Sequence, residues 1–231
     1  MIHQLIFAAP KPGMTEEEFH RYWVEEHAVR YASRIPQIKR YAVDTRVALP
    51  EDDGEPLWNG VAEIWLENEE EQLASLQTPE FLQGARLDEP NWAAFWRSVV
   101  LDTDTEVVVQ GRPENEPQPG VKVIVLGKRR EGMSRDAFRR YSRGTHAPLA
   151  AAIPGVRRYH QSFTRDSWYG ISEPPFDVAY HLWFDSTDTL RAARRSAEQT
   201  RAEADYKNFL DERYVHTLPV RQHWVIGPEA R

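Results

Sequence analysis

The 231-residue sequence contains no cysteine. That excludes disulfides, thiolate metal sites and a cysteine nucleophile, although it is compatible with any compartment. No run of residues approaches the roughly 18 consecutive apolar positions that a membrane helix requires. The stretch Met1 to Pro10 is too short and too uncharged for a secretory signal, so a cytoplasmic location is expected. Gly-x-Gly-x-x-Gly, the phosphate-loop motif, His-Glu-x-x-His and Gly-x-Ser-x-Gly are also missing. Nucleotide cofactors, zincin chemistry and nucleophile-elbow hydrolysis therefore lack support. The basic runs Lys128-Arg129-Arg130 and Arg191 to Arg195 are short and carry no glycine-aromatic signature, so no nucleic-acid partner is expected.

What is present is enough for a core, at 41% hydrophobic and 11% aromatic residues. The net charge of -7 conceals an asymmetry. Residues 1 to 111 hold 9 Lys+Arg against 21 Asp+Glu, and residues 112 to 231 hold 20 against 15. Halves of opposite sign favour docking of one on the other, and two independently drifting solvated surfaces account for the figures as well.

The chain repeats itself. Gly13, Met14, Phe19, Arg21, Tyr22, His27, Ala28, Ile35, Pro36, Arg40 and Tyr41 return in the same order as Gly132, Met133, Phe138, Arg140, Tyr141, His146, Ala147, Ile153, Pro154, Arg158 and Tyr159, with one residue dropped before the proline. Solenoid repeats run roughly 20 to 50 residues, so a unit this long signals duplication of a whole small domain. The expected division is unit 1 at residues 1–111, a linker at 112–120 with three prolines and two glycines within residues 111–120, and unit 2 at 121–231.

In the first copy an apolar strand, His3 to Ala9, ends at turn residues Lys11 to Met14. Thr15 with Glu18 is a capping-box pattern, and Glu16 to Glu18 suit the first turn of a helix. Phe19, Tyr22, Trp23, His27 and Tyr31 then form one helical stripe. Strands follow at residues 38–43 and 61–66, the latter with Val61, Glu63 and Trp65 on one face, and an acidic helical region starts near Glu69. Trp92, Phe95 and Trp96 are expected in the core, and residues 106–109 form a fourth strand. The second copy repeats the order, with strands at 122–126, 156–162, 178–183 and 221–225, a helical region from Thr187 to Leu210, and His181 at the position of Glu63. The order βαββαβ describes a ferredoxin-like unit, an antiparallel sheet with both helices on one face. The other face, with Trp65 and Trp183, is too apolar to leave in water. The expected fold class is α+β, with the two ferredoxin-like units packed sheet-to-sheet as an intrachain α+β barrel.

The string Gly-Met-(Thr/Ser)-x-x-x-Phe-x-Arg-Tyr-x-x-x-x-His, followed by Ile-Pro and Arg-Tyr, resembles the EthD family of the dimeric α+β barrel superfamily, here duplicated in tandem. The resemblance implies a ligand-holding barrel interior. Relatives include polyketide cyclases, dehydratases, muconolactone isomerases, cofactor-free monooxygenases and, more distantly, haem proteins. In the isomerising relatives the helix-end His and the strand-two Tyr are associated with catalysis, which His27 with Tyr41 and His146 with Tyr159 match.

Aimed at such an interior, His27, Tyr41 and Glu63 in copy one, and His146, Tyr159 and His181 in copy two, are the candidate catalytic groups. Tyr22, Trp65, Tyr141 and Trp183 are candidate substrate-binding walls. A His takes a proton near neutral pH, a Tyr hydroxyl holds an oxyanion, and burial raises a Glu toward useful acid–base values. Packing and capping roles account for the His and Tyr positions equally well. The expectation is a cofactor-independent lyase, isomerase or cyclase, binding no metal, that acts on a hydrophobic, aromatic or polyketide-like oxygenated small molecule. The alternatives are a cofactor-free or haem-dependent monooxygenase in the same barrel, with haem or metal on His27 or His146, and a non-catalytic small-molecule binding protein. A homodimer is admitted but not required.

Overall fold

A computed structural model describes residues 1–52, 54–111 and 120–229. Among the described residues eight strands, β1 (Ile2–Ala8), β2 (Ile38–Arg46), β3 (Gly60–Leu66), β4 (Val99–Val109), β5 (Val121–Arg129), β6 (Arg158–Thr164), β7 (Val178–Phe184) and β8 (Leu210–Ile226), close in the order β1-β3-β2-β8-β5-β7-β6-β4. This is the expected α+β barrel. The chain divides into two compact units, Met1–Thr103 with the residues from Val220 onward, and Asp104–Pro219. The linker expected at 112–120 lies, apart from Gly120, outside the described residues.

Both fourth strands are longer than the sequence pattern predicts, because β4 continues through Asp102 and Asp104, and β8 through Asp211, Glu212 and Pro219. Asp and Pro disfavour strands locally, but hydrogen-bonded neighbours override that preference.

In the first unit β3 pairs antiparallel with both β1 and β2, β1 with β4, and β2 with β8. Thr15 caps the first helix (Glu16–Arg21), its side chain accepting from the Glu18 amide while Glu18 accepts in return. The helix then widens into a π-helical stretch, Tyr22–His27, where the Ala28 amide bonds to the Trp23 carbonyl five residues back, and recovers over Ala28–Arg30. Phe19, Trp23, Ala28, Tyr41, Ile64 and Trp92 share one buried cluster, so the core lies between the helices and one face of the sheet. Trp96 departs from the sequence expectation. It is 75% exposed, on a short 3-10 turn, while Trp92 is buried.

Gly60, the first residue of β3, is required by close approach, because a Cβ there would stand 2.7 Å from the Asp44 carbonyl oxygen and 2.8 Å from the Trp23 ring. Overpacking of this kind costs about 1–3 kcal/mol. Gly60→Ala is accordingly expected to lower the unfolding free energy by about 2 kcal/mol in a denaturant titration.

The second unit repeats the plan. Ser134 caps a helix (Arg135–Tyr141) that widens at Ser142–His146 and continues over Ala147–Ala151. β7 pairs antiparallel with β5 and β6. The single helical region expected from Thr187 to Leu210 is two helices, Thr187–Arg194 and Ala197–Asp205, because the Ser196 side chain accepts from the Gln199 amide and starts a new helix. Phe138 stacks on Phe209 and meets Phe163 edge-on.

Candidate active site

Residues five apart in an α-helix diverge by about 140° at 3.6 residues per turn. The π-helical stretch closes that gap, so that Tyr22 and His27 converge on one carboxylate. The Tyr22 hydroxyl donates to Asp88 Oδ1 at 2.8 Å, His27 Nδ1 lies 2.8 Å from Asp88 Oδ2, and Asn91 Nδ2 donates to Oδ1 at 3.0 Å. The second unit builds the same device. Tyr141 donates to Asp205 Oδ1 at 2.8 Å, His146 Nδ1 lies 3.1 Å from Oδ2, and Asn208 donates to Oδ1 at 2.9 Å. Sequence reading missed Asp88 and Asp205. The signal was present as Asp88-x-x-Asn91-Trp92 against Asp205-x-x-Asn208-Phe209.

The Trp92 Nε1–H also approaches His27 Nδ1, at 3.1 Å. One neutral imidazole nitrogen cannot donate to Asp88 and accept from Trp92 together. The shorter, charge-assisted contact with the carboxylate takes precedence. The second unit agrees, since Phe209 has no N–H to offer and the His146–Asp205 contact persists. Both imidazoles thus carry Nδ1–H, leaving Nε2 to act as base or ligand.

Burial lowers the proton affinity of His27 and His146 below the ordinary histidine value, against the pull of Asp88 and Asp205. Burial opposes ionisation of Asp88 and Asp205, but bonds from the Asn, His and Tyr partners outweigh it and hold both carboxyls below their usual range. Burial, then the Asp88 bond, pushes the Tyr22 phenol up to about 12.

An imidazole depressed in the folded state contributes stability that is present above its unfolded value of 6.5 and is lost as pH falls below it. The depressed carboxylates contribute stability present above 3.8, lost as pH falls through their lower folded values. The melting temperature, followed by circular dichroism, is expected to hold from pH 8 to 7 and then fall in two stages, one below about 6.5 and one below about 4.

Tyr41 and Tyr159 stand beside these devices, on the helix-facing side of their sheets. Tyr41 is buried in the Trp23 cluster, and burial raises its phenol strongly despite a bond with Trp23. Tyr159 accepts from Gln161 Nε2 at 2.8 Å, within a buried network that joins Gln161, Ser142 and Tyr180.

Glu63 is elsewhere. Tyr41 pairs with Ile64, and Ala42 with Glu63, so alternation turns Glu63 to the opposite face of the sheet from Tyr41 and the helices. The structure therefore does not bring His27 and Tyr41 together with Glu63, as a shared interior required. Glu63 is 1% exposed, with Oε2 3.0 Å from His3 Nε2 and Oε1 accepting from Gln222 Nε2 at 2.7 Å. His3 stacks on Trp65 at 4.4 Å and 7°, and Trp65 stacks on Trp224 at 5.5 Å. Glu63 and His3 are buried, whereas Trp65 and Trp224 retain partial exposure. His3 could have been found by alternation, since it occupies the same face of β1 as Leu5, opposite Glu63. Gln222 and Trp224 could not, because their place beside Glu63 rests on pairing of β8 with β2.

The corresponding face of the second unit is basic. Lys122 and Arg158 lie over the Trp183 ring at 5.1 and 5.3 Å, and His160 and His181 pack against it at 4.9 and 6.0 Å. Register makes Lys122 the counterpart of His3, and His181 that of Glu63. The units share a frame and differ in its charge.

Among solved structures, the chain resembles an anthrone oxidase-like protein (13% identity, 97% of this chain and 92% of the other covered, TM-score 0.65). It also resembles a protein of Fusobacterium nucleatum whose description as a monooxygenase is itself provisional (7%, 100% and 95%, TM-score 0.63). An EthD family protein of Bacillus halodurans matches 43% of this chain over 94% of its own length, at 26% identity and a TM-score of 0.37. No curated relative matches the sequence. The EthD domain profile matches residues 11–95 and again residues 130–213. Each match takes in one Tyr–His–Asp device whole, and the chain belongs to the EthD domain family, twice over.

Proposed function

We propose that this protein is a cofactor-independent enzyme moving protons on a hydrophobic, oxygenated aromatic small molecule, and that Glu63 is its base. The observation that carries the reading is the buried pair itself: a carboxylate 1% exposed, one oxygen fixed by Gln222 and the other against an imidazole, next to two partly exposed indoles. A carboxylate is costly in such surroundings unless it is paired or used. Glu63 Oε2 takes a proton from a carbon next to a carbonyl or from a phenol; the C–H or O–H bond breaks, an O–H bond forms, and the substrate keeps the electron pair as an enolate or phenolate. His3 Nε2 lies 3.0 Å from that oxygen. Return of the proton at another atom gives an isomer, and departure of a leaving group gives elimination.

His27 and His146 hold the helix end to the segment carrying Asp88 or Asp205. Tyr22 and Tyr141 do the same, and Tyr41 and Tyr159 fill the core beside them. His181 and Trp183 belong to the basic face of the second unit.

An enolate or phenolate made in this way is also what dioxygen could add to, and the oxidase and monooxygenase names among the structural neighbours make that second outcome worth measuring. The purified protein is incubated with phenolic and 1,3-dicarbonyl aromatic compounds without added cofactor. Products are followed by mass spectrometry and oxygen by electrode. Conversion without oxygen uptake supports the proton-transfer reading, conversion with stoichiometric uptake supports the oxygenase reading, and recovery of every compound unchanged leaves a binding protein.

A further inference from the structure

The Glu63 face is built mainly by the first repeat, but two of its side chains, Gln222 and Trp224, come from the last strand of the chain. In register, Trp224 stands opposite Ala42 and Gln222 opposite Asp44, so both share the face of β2 that neighbours Glu63. Gln222 holds the carboxylate. Trp224 extends a stack of three rings, from His3 through Trp65 to itself, with centroid spacings of 4.4 and 5.5 Å. The buried end of this stack is the imidazole beside Glu63, and its accessible end is an indole.

We infer that Trp224 is a specificity-determining residue, which selects planar aromatic ligands by presenting its ring at the accessible end of the stack. Three features support this. Alanine, the smallest side chain available after glycine, faces Trp224 across the β2–β8 pair, so the indole is not wedged there by a bulky cross-strand partner. The indole is partly exposed, although a ring of that size gains most from full burial. Its neighbours along the stack are rings whose planes lie within 7° and 27° of one another, which aligns the stack for a further flat ring and gives a puckered one no matching surface.

The inference rests on the reading of the Glu63 face as the reactive one, but its test needs no turnover. Binding of 1-naphthol to the full chain is measured by equilibrium dialysis, with fully saturated decahydro-1-naphthol as the non-planar control. The wild type is expected to bind 1-naphthol saturably and the control about tenfold more weakly. Trp224→Ala should weaken 1-naphthol binding by about tenfold, and Trp224→Phe, which restores a flat ring, by no more than about threefold. Circular dichroism checks that both variants fold. Should Trp224→Ala not fold, the planar-against-saturated comparison and Trp224→Phe still decide. No saturable binding up to the probe's solubility overturns the inference. So do equal binding of the planar and saturated alcohols, and wild-type affinity in Trp224→Ala. Failure of Glu63 in a turnover assay would leave the binding result standing, and the converse holds, so the two ideas fail separately.

Discussion

Asp88→Ala loses about 3 kcal/mol of unfolding free energy, the range expected when the acceptor of a buried network is removed. Asp88 is 4% exposed and accepts from Tyr22, His27 and Asn91. Its removal strands the His27 Nδ1–H and the Tyr22 hydroxyl and opens a small void, and each of those penalties is of order 1 kcal/mol or more. Asp205→Ala is expected to cost a similar amount, somewhat less because Asp205 is 8% exposed and its His contact is longer. Urea titrations of both variants check this. The histidine-linked first stage of acid destabilisation should also become deeper in Asp88→Ala, because His27 then loses the partner that raises its proton affinity against burial.

Glu63→Gln is expected to separate stability from activity. The amide is isosteric with the carboxylate and still offers an oxygen to Gln222, so the bond at 2.7 Å survives. The buried charge disappears, and with it a desolvation penalty, so the unfolding free energy should stay level or rise slightly. An amide cannot take the substrate proton. Turnover should therefore fall by about 10³-fold, the middle of the range for loss of a general base, with KM little changed because no binding contact is removed. A protein that is as stable as wild type but inactive would bear the mark of a functional carboxylate. A destabilised and active one would make Glu63 a structural residue.

Most of the fold was legible because it is written twice. The turn glycines, capping residues and aromatic stripe repeat in register, and a βαββαβ order with an apolar second face has few other solutions. The limits of β4 and β8 were not legible, since Asp102, Asp104 and Pro219 are locally unfavourable in strands and pairing alone holds them there. The exposed Trp96 was not legible either, because composition marks an indole as core material and only the turn at Phe95–Arg97 shows it directed outward.

The site divides along similar lines. Period-two alternation placed Glu63 and Trp65 together, and the structure keeps them so. His27 and Tyr41 were grouped with them because a single helical stripe gives a residue's side of the helix but not what faces it. Tyr22 and His27 reach a common acid only because the helix widens between them, and sequence periodicity at 3.6 residues per turn cannot register that. Gln222 and Trp224 are distant in sequence from the site they complete, so no local pattern could assign them.

Glu63 is the group proposed to move the proton, and solvent-deuterium exchange tests that role without knowledge of the full reaction. A ligand carrying an acidic C–H next to an aromatic ketone is incubated in deuterated buffer with wild type or Glu63→Gln, and the loss of its proton signal is followed by NMR. Exchange well above the uncatalysed rate is expected with the wild type, and a rate indistinguishable from buffer with Glu63→Gln. Wild-type exchange in Glu63→Gln, together with its loss in His27→Ala or His146→Ala, would return the chemistry to the helix-facing histidines.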